Sequence, residues 1–398
     1  MEISQRGQKI QPSPIRKLKP FADRAQEKGI HVYFLNIGQP DIPTPQPVMD
    51  AIHTFEEEVL SYGPAQGFLE LRQAVAEYFG NYNIPLTSDN VIITIGGSEA
   101  IHFSFSAVAD PGEEIIIPEP FYTNYNGYAS FADVNIVPLT LKVEDGFRLP
   151  SKKEIEARVT SKTRAILLCS PNNPTGTLYT PEEVERVISV ASTYDLFLIG
   201  DEVYKEFVYD GERHTSILEY DEIKERVIVV DSISKRFSCC GARIGALITR
   251  NEKVFEAVLK FAQARLCPPS VEQKAALAAY RMGMGYFDSV KEEYQRRRDV
   301  LFEGLKDIPG IVIHKPQGAF YLVVRLPIKD SEHFVRWMLT DFSFDNQTVM
   351  VAPAPGFYSS ANKGQDEVRI AYVLKESDLR RAITVFKAGL EKYKSLYS

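Results

Sequence analysis

The chain has 398 residues, of which 44% are hydrophobic and 25% charged, a balance typical of a globular protein of two or three domains that excludes a disordered or fibrous chain. Its 46 basic and 53 acidic residues give a formal net charge of −7, which excludes an overall basic surface for nucleic acid but allows a local positive pocket for a small anion. No segment approaches the roughly 20 apolar residues that span a bilayer, and residues 1–18 lack the apolar centre of a secretory signal. The four cysteines have neither metal-ligand nor disulfide spacing. We therefore expect a reduced, cytoplasmic protein that binds no metal, no nucleic acid and no membrane.

The proline-rich residues 1–45 come first, and we predict that they form an arm that crosses the rest of the molecule. Five short apolar runs follow, separated by longer amphipathic segments, at 91–95, 114–117, 165–169, 196–199 and 227–230. These runs do not alternate with polar residues, which is typical of strands covered on both faces. The alternation of such strands with helices predicts an α/β fold with a mostly parallel, doubly wound sheet in a large domain of residues 46–285.

A helix with clear end signals lies between the third and fourth runs. Thr180 is its predicted N-cap, Pro181 its first residue and Glu183 the partner that closes a capping box. After residue 285 the pattern changes to one long charged helix, three strands and a final helix capped by Ser377. The first four of these elements lie at 287–306, 319–325, 348–352 and 367–372. This pattern predicts a smaller α+β domain of residues 286–398.

The segment 232–245 carries the sharpest chemical signal. It follows the strand 227–230 and is rich in glycine and serine, at a sheet edge where ligands usually bind. Lys235 in this turn is able to form a Schiff base with a carbonyl compound. Ser232 and Arg243 can both reach one phosphate group. A single lysine in a loop would be interpreted as a solvated surface residue, but this one has neighbours that suit an anionic ligand.

Two further polar motifs follow buried strands. Asp201 follows the apolar run 196–199, and a buried carboxylate there requires a cationic partner such as a protonated pyridine nitrogen. Tyr204, three residues further on, can hydrogen-bond an oxygen of the same ring. Asn173 lies in the sequence Ser-Pro-Asn-Asn-Pro-Thr-Gly, which alone indicates only a turn.

These motifs carry a family resemblance. They occur in order from residues 36–41, Asn-Ile-Gly-Gln-Pro-Asp, to Arg369. In this order the chain resembles a fold-type I pyridoxal-phosphate enzyme of the class I and II aminotransferases, the group that includes aspartate aminotransferases. The eight-residue interval between Lys235 and Arg243, with Asn-Pro-Thr-Gly and Asp-x-x-Tyr, is specific to that group. Cys239 departs from the family pattern, which usually has an aliphatic or aromatic residue there.

The resemblance implies bound pyridoxal 5′-phosphate and a role for each motif. Lys235 would hold the cofactor covalently and then move the substrate's proton, while Asp201 would pair with the pyridine nitrogen. Tyr204 and Asn173 would bond to the phenolic oxygen of the ring. The other cofactor contacts would come from Gly97, Ser98, Glu99, Tyr122, Ser232, Arg243 and, from a neighbouring subunit, Tyr62. A homodimer with shared active sites is therefore implied.

The resemblance also implies where the substrate binds. The expected contacts to the substrate are Arg369 and Gly38, at its α-carboxylate, and Asn173. For a second carboxylate, some aspartate aminotransferases have a lysine after the Gly-Gly pair, where this chain has Ser98. The remaining basic candidates are Arg16 and Arg265, and we predict that Arg265, at the dimer interface, selects aspartate and glutamate.

Three alternatives to an aspartate-specific aminotransferase remain open, because the cofactor serves many reactions on this fold. One is a pyridoxal-phosphate-dependent C–S β-lyase. Another is an aromatic or broad-specificity aminotransferase, since Phe320 and Tyr321 stand where the family lines its substrate pocket. The third, a cofactor-binding regulatory module without turnover, is disfavoured because Lys235 is present and no DNA-binding segment is attached.

Overall fold

The computed structural model describes residues 1–10 and 13–397. Residues 11 and 12 of the predicted arm, and Ser398, lie outside the described residues. The α-helices are α1 (Gln5–Lys9), α2 (Lys19–Glu27), α3 (Gln46–His53), α4 (Leu69–Gly80), α5 (Gly96–Val108), α6 (Asn124–Ala132), α7 (Lys152–Glu156), α8 (Pro181–Thr193), α9 (Ile233–Arg236), α10 (Glu252–Arg265), α11 (Ser270–Tyr280), α12 (Tyr286–Leu305), α13 (Ser331–Thr340) and α14 (Glu376–Tyr397). The strands are β1 (His31–Phe34), β2 (Val91–Thr94), β3 (Glu114–Glu119), β4 (Asn135–Thr140), β5 (Thr163–Cys169), β6 (Phe197–Asp201), β7 (Val227–Ser232), β8 (Gly245–Thr249), β9 (Val312–Ile313), β10 (Tyr321–Arg325), β11 (Gln347–Met350), β12 (Ala352–Pro353) and β13 (Glu367–Ala371).

A seven-stranded sheet forms the centre of the large part of the molecule, with strand order β2-β8-β7-β6-β5-β3-β4. Strand β8 runs antiparallel to both of its neighbours, and all other pairs are parallel. The five apolar runs of the sequence are β2, β3, β5, β6 and β7. The prediction of an α/β fold with a mostly parallel sheet is therefore confirmed.

Neighbouring residues of the central strands pack into different cores. In β6, Leu198 belongs to the core on one face of the large sheet and Ile199 to the core on the other. Val229 and Ile228 of β7 divide in the same way, and all four side chains are fully buried. Both faces of these strands are thus covered, which explains why their sequences show no polar alternation.

A four-stranded antiparallel sheet, with the order β12-β13-β10-β9, forms a second layer with its own core. The N-terminal segment joins this part of the molecule, because β1 pairs in parallel with β11 from His31 opposite Gln347 to Phe34 opposite Met350. The domain boundaries at residues 45 and 285 stay predictions.

The ends of two helices test the predicted caps. At the start of α8 the Thr180 hydroxyl accepts a hydrogen bond from the Glu183 amide, and the Glu183 carboxylate accepts one from the Thr180 amide at 2.8 Å, so the predicted capping box is present. The prediction that Ser377 caps the last helix is wrong. The carbonyl of Lys375 already accepts a helical bond from Leu379, so Ser377 lies within the first turn of α14. No helix in the described ranges is long and apolar enough to cross a membrane.

Candidate active site

The carboxyl ends of β2, β3, β5, β6 and β7 share one edge of the large sheet, because these strands run in the same direction. A cavity of about 280 Å³ opens at this edge and is also lined by residues of the arm and of the small sheet. Most of the predicted site residues line this cavity: Gly38, Gly97, Ser98, Tyr122, Asn173, Asp201, Tyr204, Ser232, Lys235, Arg243 and Arg369. The fold therefore brings together motifs that lie far apart in the sequence.

Lys235 lies on the short helix α9, immediately after β7. Its Nζ donates a hydrogen bond to the carbonyl oxygen of Gly38 at 2.9 Å and lies 3.8 Å from the Cys240 Sγ. A Cβ atom on Gly38 would lie 1.7 Å from the Tyr321 hydroxyl oxygen, so only glycine lets the arm approach this closely. The amine is thus held in the cavity by a backbone carbonyl that a ligand can replace.

Asp201 is the last residue of β6 and is 7% exposed. Its Oδ2 accepts a hydrogen bond from the Tyr125 hydroxyl at 2.6 Å. Burial raises the pKa of Asp201 to about 6, although the bond from Tyr125 acts in the opposite direction. No cationic side chain among those that the structure describes lies within ion-pair distance of this carboxylate, so it lacks the partner that a buried charge needs.

Arg369 lies on β13 of the small sheet and is 2% exposed. Its Nη1 donates to the Asn173 side-chain oxygen at 3.0 Å, its Nη2 donates to the carbonyl oxygen of Asn36, and its Nε has no partner. Burial lowers the pKa of Arg369, and no carboxylate in the described part of the chain forms an ion pair with it. A guanidinium has five N–H groups, and among the described residues this one donates only two hydrogen bonds, both to neutral oxygens, so it is a site for an anion.

The N-terminus of α5 forms another wall of the cavity. The first-turn amides of a helix have no intrahelical acceptors, and Gly97 and Ser98 of this turn line the cavity. Gly96 has a φ of +69°, and a Cβ atom there would lie 2.5 Å from a guanidinium nitrogen of Arg243. Glycine therefore lets Arg243 lie against the helix N-terminus. Together with Ser232, which lines the same wall, these groups suit a phosphate.

The two predicted tyrosines, Tyr122 and Tyr204, line the same cavity, as do Tyr128 and Tyr321. The Tyr204 hydroxyl lies 2.9 Å from the Tyr321 hydroxyl, and both side chains are buried. The Tyr122 hydroxyl accepts a hydrogen bond from the side-chain amide of Asn124 at 2.7 Å, and burial raises the pKa of Tyr122. Both rings are therefore fixed by short polar contacts at the surface where a ligand would bind.

Three of the predicted cofactor and substrate contacts do not line the cavity of their own chain, and Phe320, expected in the pocket wall, does not line it either. Glu99 accepts hydrogen bonds from the Ile95 amide at 2.8 Å and from the Arg265 Nε at 3.2 Å. Arg265 also donates to the carbonyl oxygen of Ile93 at 3.1 Å. Tyr62 is 81% exposed. The assignment of Tyr62 and Arg265 to a neighbouring subunit's site stays a prediction.

The sequence analysis missed two residues that hold the site together. Tyr125 binds Asp201, and Asn36 binds Arg369 through its backbone carbonyl. Asn36 is the first residue of the motif at 36–41, so the sequence marked its position. The sequence did not indicate that its carbonyl accepts a hydrogen bond from Arg369. Tyr125 lies in an ordinary amphipathic helix, and nothing in its local sequence marks it.

Comparison with known proteins identifies relatives along nearly the whole chain. Residues 30–386 match the family described as aminotransferase class I and II. An aspartate aminotransferase of Sulfurisphaera tokodaii is 34% identical over 376 residues, 92% of this chain and 91% of that protein. Aromatic-amino-acid aminotransferase 2 of Thermococcus litoralis is 34% identical over 406 residues, 99% of this chain and 100% of that protein. A solved structure of alanine aminotransferase from Pyrococcus furiosus matches with a TM-score of 0.90 at 30% identity, covering 98% of this chain and 100% of that one.

Proposed function

The chain belongs to the class I and II aminotransferase family, and we propose that it moves amino groups between an L-amino acid and a 2-oxo acid with bound pyridoxal 5′-phosphate, aspartate and glutamate being preferred. One observation carries this proposal. Asp201 and Arg369 are buried charges of opposite sign without an ionic partner in the described residues, and both line one cavity with Lys235. A protonated pyridine nitrogen fits the first and the carboxylate of an amino acid fits the second.

The residues present fit the cofactor. Asp201 would hold the pyridine nitrogen, and the α5 N-terminus with Ser232 and Arg243 would hold the phosphate. Around the ring, Tyr122 would cover one face, while Tyr204 and Asn173 would bond to the phenolic oxygen. When bound, the cofactor supplies an electron-withdrawing ring that acidifies the Cα–H bond of the substrate.

The chain's own groups would then position the substrate and move one proton. Arg369, oriented by Asn173 and Asn36, would bind the α-carboxylate in a two-pronged geometry that only arginine offers. The Lys235 amine would take the proton from the substrate Cα and return it to a neighbouring atom, acting as base and then as acid. Tyr125 would keep Asp201 oriented throughout.

We also propose a homodimer whose active sites are shared. Three exposed apolar side chains support it: Val59 is 71%, Leu60 65% and Tyr62 81% exposed. Leu266, next to Arg265, is 52% exposed. Contiguous exposed apolar surface commonly marks an interface, and a second subunit would cover these segments.

A mixing experiment tests the shared sites. We expect subunits carrying Lys235→Ala to be inactive. Subunits carrying both Tyr62→Phe and Arg265→Ala should also be inactive if those residues serve a partner. Heterodimers would contain one intact site, so activity should return after subunit exchange. No recovery after exchange has been verified by mass spectrometry would contradict the shared site.

A single-turnover measurement tests the reaction. Holoenzyme mixed with aspartate, glutamate, tyrosine, phenylalanine, alanine or leucine should release one equivalent of the matching 2-oxo acid while the protein retains the amino group. The fastest release is expected from aspartate and glutamate. Release of pyruvate and ammonia from a cysteine thioether, without transamination, would instead identify a C–S β-lyase.

A further inference from the structure

Among the side chains that the structure describes, four basic ones line the cavity: Arg16, Lys235, Arg243 and Arg369. Three have a task already, because Lys235 bonds to the carbonyl of Gly38, Arg243 lies at the α5 N-terminus, and Arg369 is held for the α-carboxylate. Arg16 is exposed, and none of the ion pairs among the described residues includes it. The cavity therefore has one cation more than the cofactor phosphate and an α-carboxylate require.

The arm holds Arg16 at the cavity by specific contacts. The Asn36 side-chain amide donates to the carbonyl oxygen of Ile15 at 3.3 Å, and the Asn36 carbonyl accepts from Arg369. The buried Asn36 thus contacts both Arg369, which would bind the α-carboxylate, and Ile15, the residue before Arg16. Leu18, two positions further along, is 3% exposed and anchors the other side of Arg16.

The alternative cation, Arg265, is already engaged. It forms an ion pair with Glu99 at 3.2 Å, donates to the carbonyl oxygen of Ile93 at 3.1 Å, and has a side chain only 13% exposed. Binding a substrate carboxylate would require it to give up these partners. Ser98, at the position where some relatives have lysine, has no charge to offer.

We propose that Arg16 binds the side-chain carboxylate of a dicarboxylic substrate while Arg369 binds its α-carboxylate. This inference rests on the proposed aminotransferase function and names the residue that selects aspartate and glutamate. A carboxylate moved from water into the cavity needs a cation. A long arginine side chain on the arm can reach the side-chain carboxylate of both aspartate and glutamate. The arm is then the part of the molecule that determines specificity.

The test measures binding as well as turnover. Maleate, a dicarboxylate, and propionate, a monocarboxylate, are titrated by calorimetry into holoenzyme carrying Arg16→Gln, Arg16→Lys or Arg265→Gln. Arg6→Gln is the matched control, because Arg6 lies on the same arm but pairs with Asp133 at 3.4 Å and lines no part of the cavity. Arg16→Gln should weaken maleate binding by roughly 10- to 100-fold, the range for a hydrogen bond to a charged group, and Arg16→Lys should restore part of it.

Steady-state rates add a second readout. With Arg16→Gln, KM for aspartate should rise more than kcat falls, while alanine kinetics stay unchanged. Two results would overturn the role of Arg16. One is a maleate affinity that Arg16→Gln leaves unchanged, and the other is a loss of maleate affinity that occurs in Arg265→Gln but not in Arg16→Gln. If the wild type transaminates alanine or phenylalanine but binds maleate no better than propionate, Arg16 is also excluded while the proposed function stands. If the wild type transaminates nothing, the proposed function fails, and the maleate titration still decides whether Arg16 binds a dicarboxylate.

Discussion

Two buried aspartates on neighbouring strands have opposite surroundings. Asp201, on β6, lines the cavity and has no ionic partner among the described residues. Asp231, on β7, is fully buried and forms ion pairs with Arg236 and, at 3.7 Å, with Lys205. Arg236 is paired in turn with Glu206 at 3.3 Å. We call Lys205, Glu206, Asp231 and Arg236 the ionic cluster.

Two buried arginines repeat the contrast. Arg236 has two carboxylates as partners, whereas Arg369 has only neutral oxygens. A buried charge is expensive unless it is paired, so a charge that the chain leaves unpaired needs a partner from outside. The charges of the ionic cluster are thus paired with one another within the fold, whereas Asp201 and Arg369 gain an ionic partner only when a ligand binds.

Replacing the half-buried Lys235 of the cavity and the buried Lys205 of the ionic cluster should break this comparison most strongly. Lys235→Ala should lower turnover by roughly 10³-fold or more, because the proton-moving amine is lost, and should leave the unfolding free energy nearly unchanged. Borohydride reduction of the wild-type holoenzyme and peptide mapping should place the cofactor on Lys235. The protein with Lys205→Met, a substitution in the ionic cluster, should retain most of the wild-type turnover. A label on another lysine would refute the assignment.

Substitutions in the ionic cluster should change the stability of the protein rather than its catalytic activity. Asp231→Asn leaves Arg236 and Lys205 with one fewer buried carboxylate and should lower the free energy of unfolding by about 3–5 kcal/mol, measured by urea denaturation. Asp201→Asn, the matched change on the cavity side, should cause no such loss. Equal destabilisation by the two variants would show that both carboxylates serve the fold.

The sequence predicted the large sheet because its strands are nearly continuous apolar runs, and such runs result from burial on both faces. It missed β4 (Asn135–Thr140), an edge strand with mixed exposure, and β8 (Gly245–Thr249), which follows directly on the lysine motif. Strand β4 is mostly half-buried, so its sequence is not a continuous apolar run. Strand β8 is fully buried, but its apolar run is short and follows the lysine motif without a separating segment.

Most of the site motifs were predictable because they follow strand ends on one edge of the large sheet, the exceptions being Gly38 in the arm and Arg369 on β13 of the small sheet. Their partners were not, because the contacts are long-range: Tyr125 and Asp201 are 76 positions apart, and Asn36 and Arg369 are 333 apart. The ionic cluster was missed for another reason. Charged residues beside a turn usually indicate solvated surface, and only the packed structure buries them.

The pH dependence of the unfolding free energy tests whether Asp201, on the cavity side, lacks an ionic partner. Without cofactor, burial raises the pKa of Asp201 from 3.8 to about 6, so the folded state binds a proton more tightly than the unfolded state. Stability relative to Asp201→Asn should therefore fall as pH rises from about 4 to about 6, by up to roughly 3 kcal/mol, and stay level above that. Urea denaturation of both cofactor-free proteins at several pH values measures this difference.

Adding the cofactor should remove the loss of stability that ionisation of Asp201 causes in the cofactor-free protein. At pH 7.5 a cationic ring nitrogen beside Asp201 would favour the ionised carboxylate, so cofactor binding should stabilise the wild type more than Asp201→Asn. The same titration on Asp231→Asn is the control, because Asp231 already has its cations within the chain. Parallel stability curves for the wild type and Asp201→Asn from pH 4 to 7.5 would mean that Asp201 has a partner inside the chain. Its place in the cavity would then no longer mark a binding site for a cationic ligand.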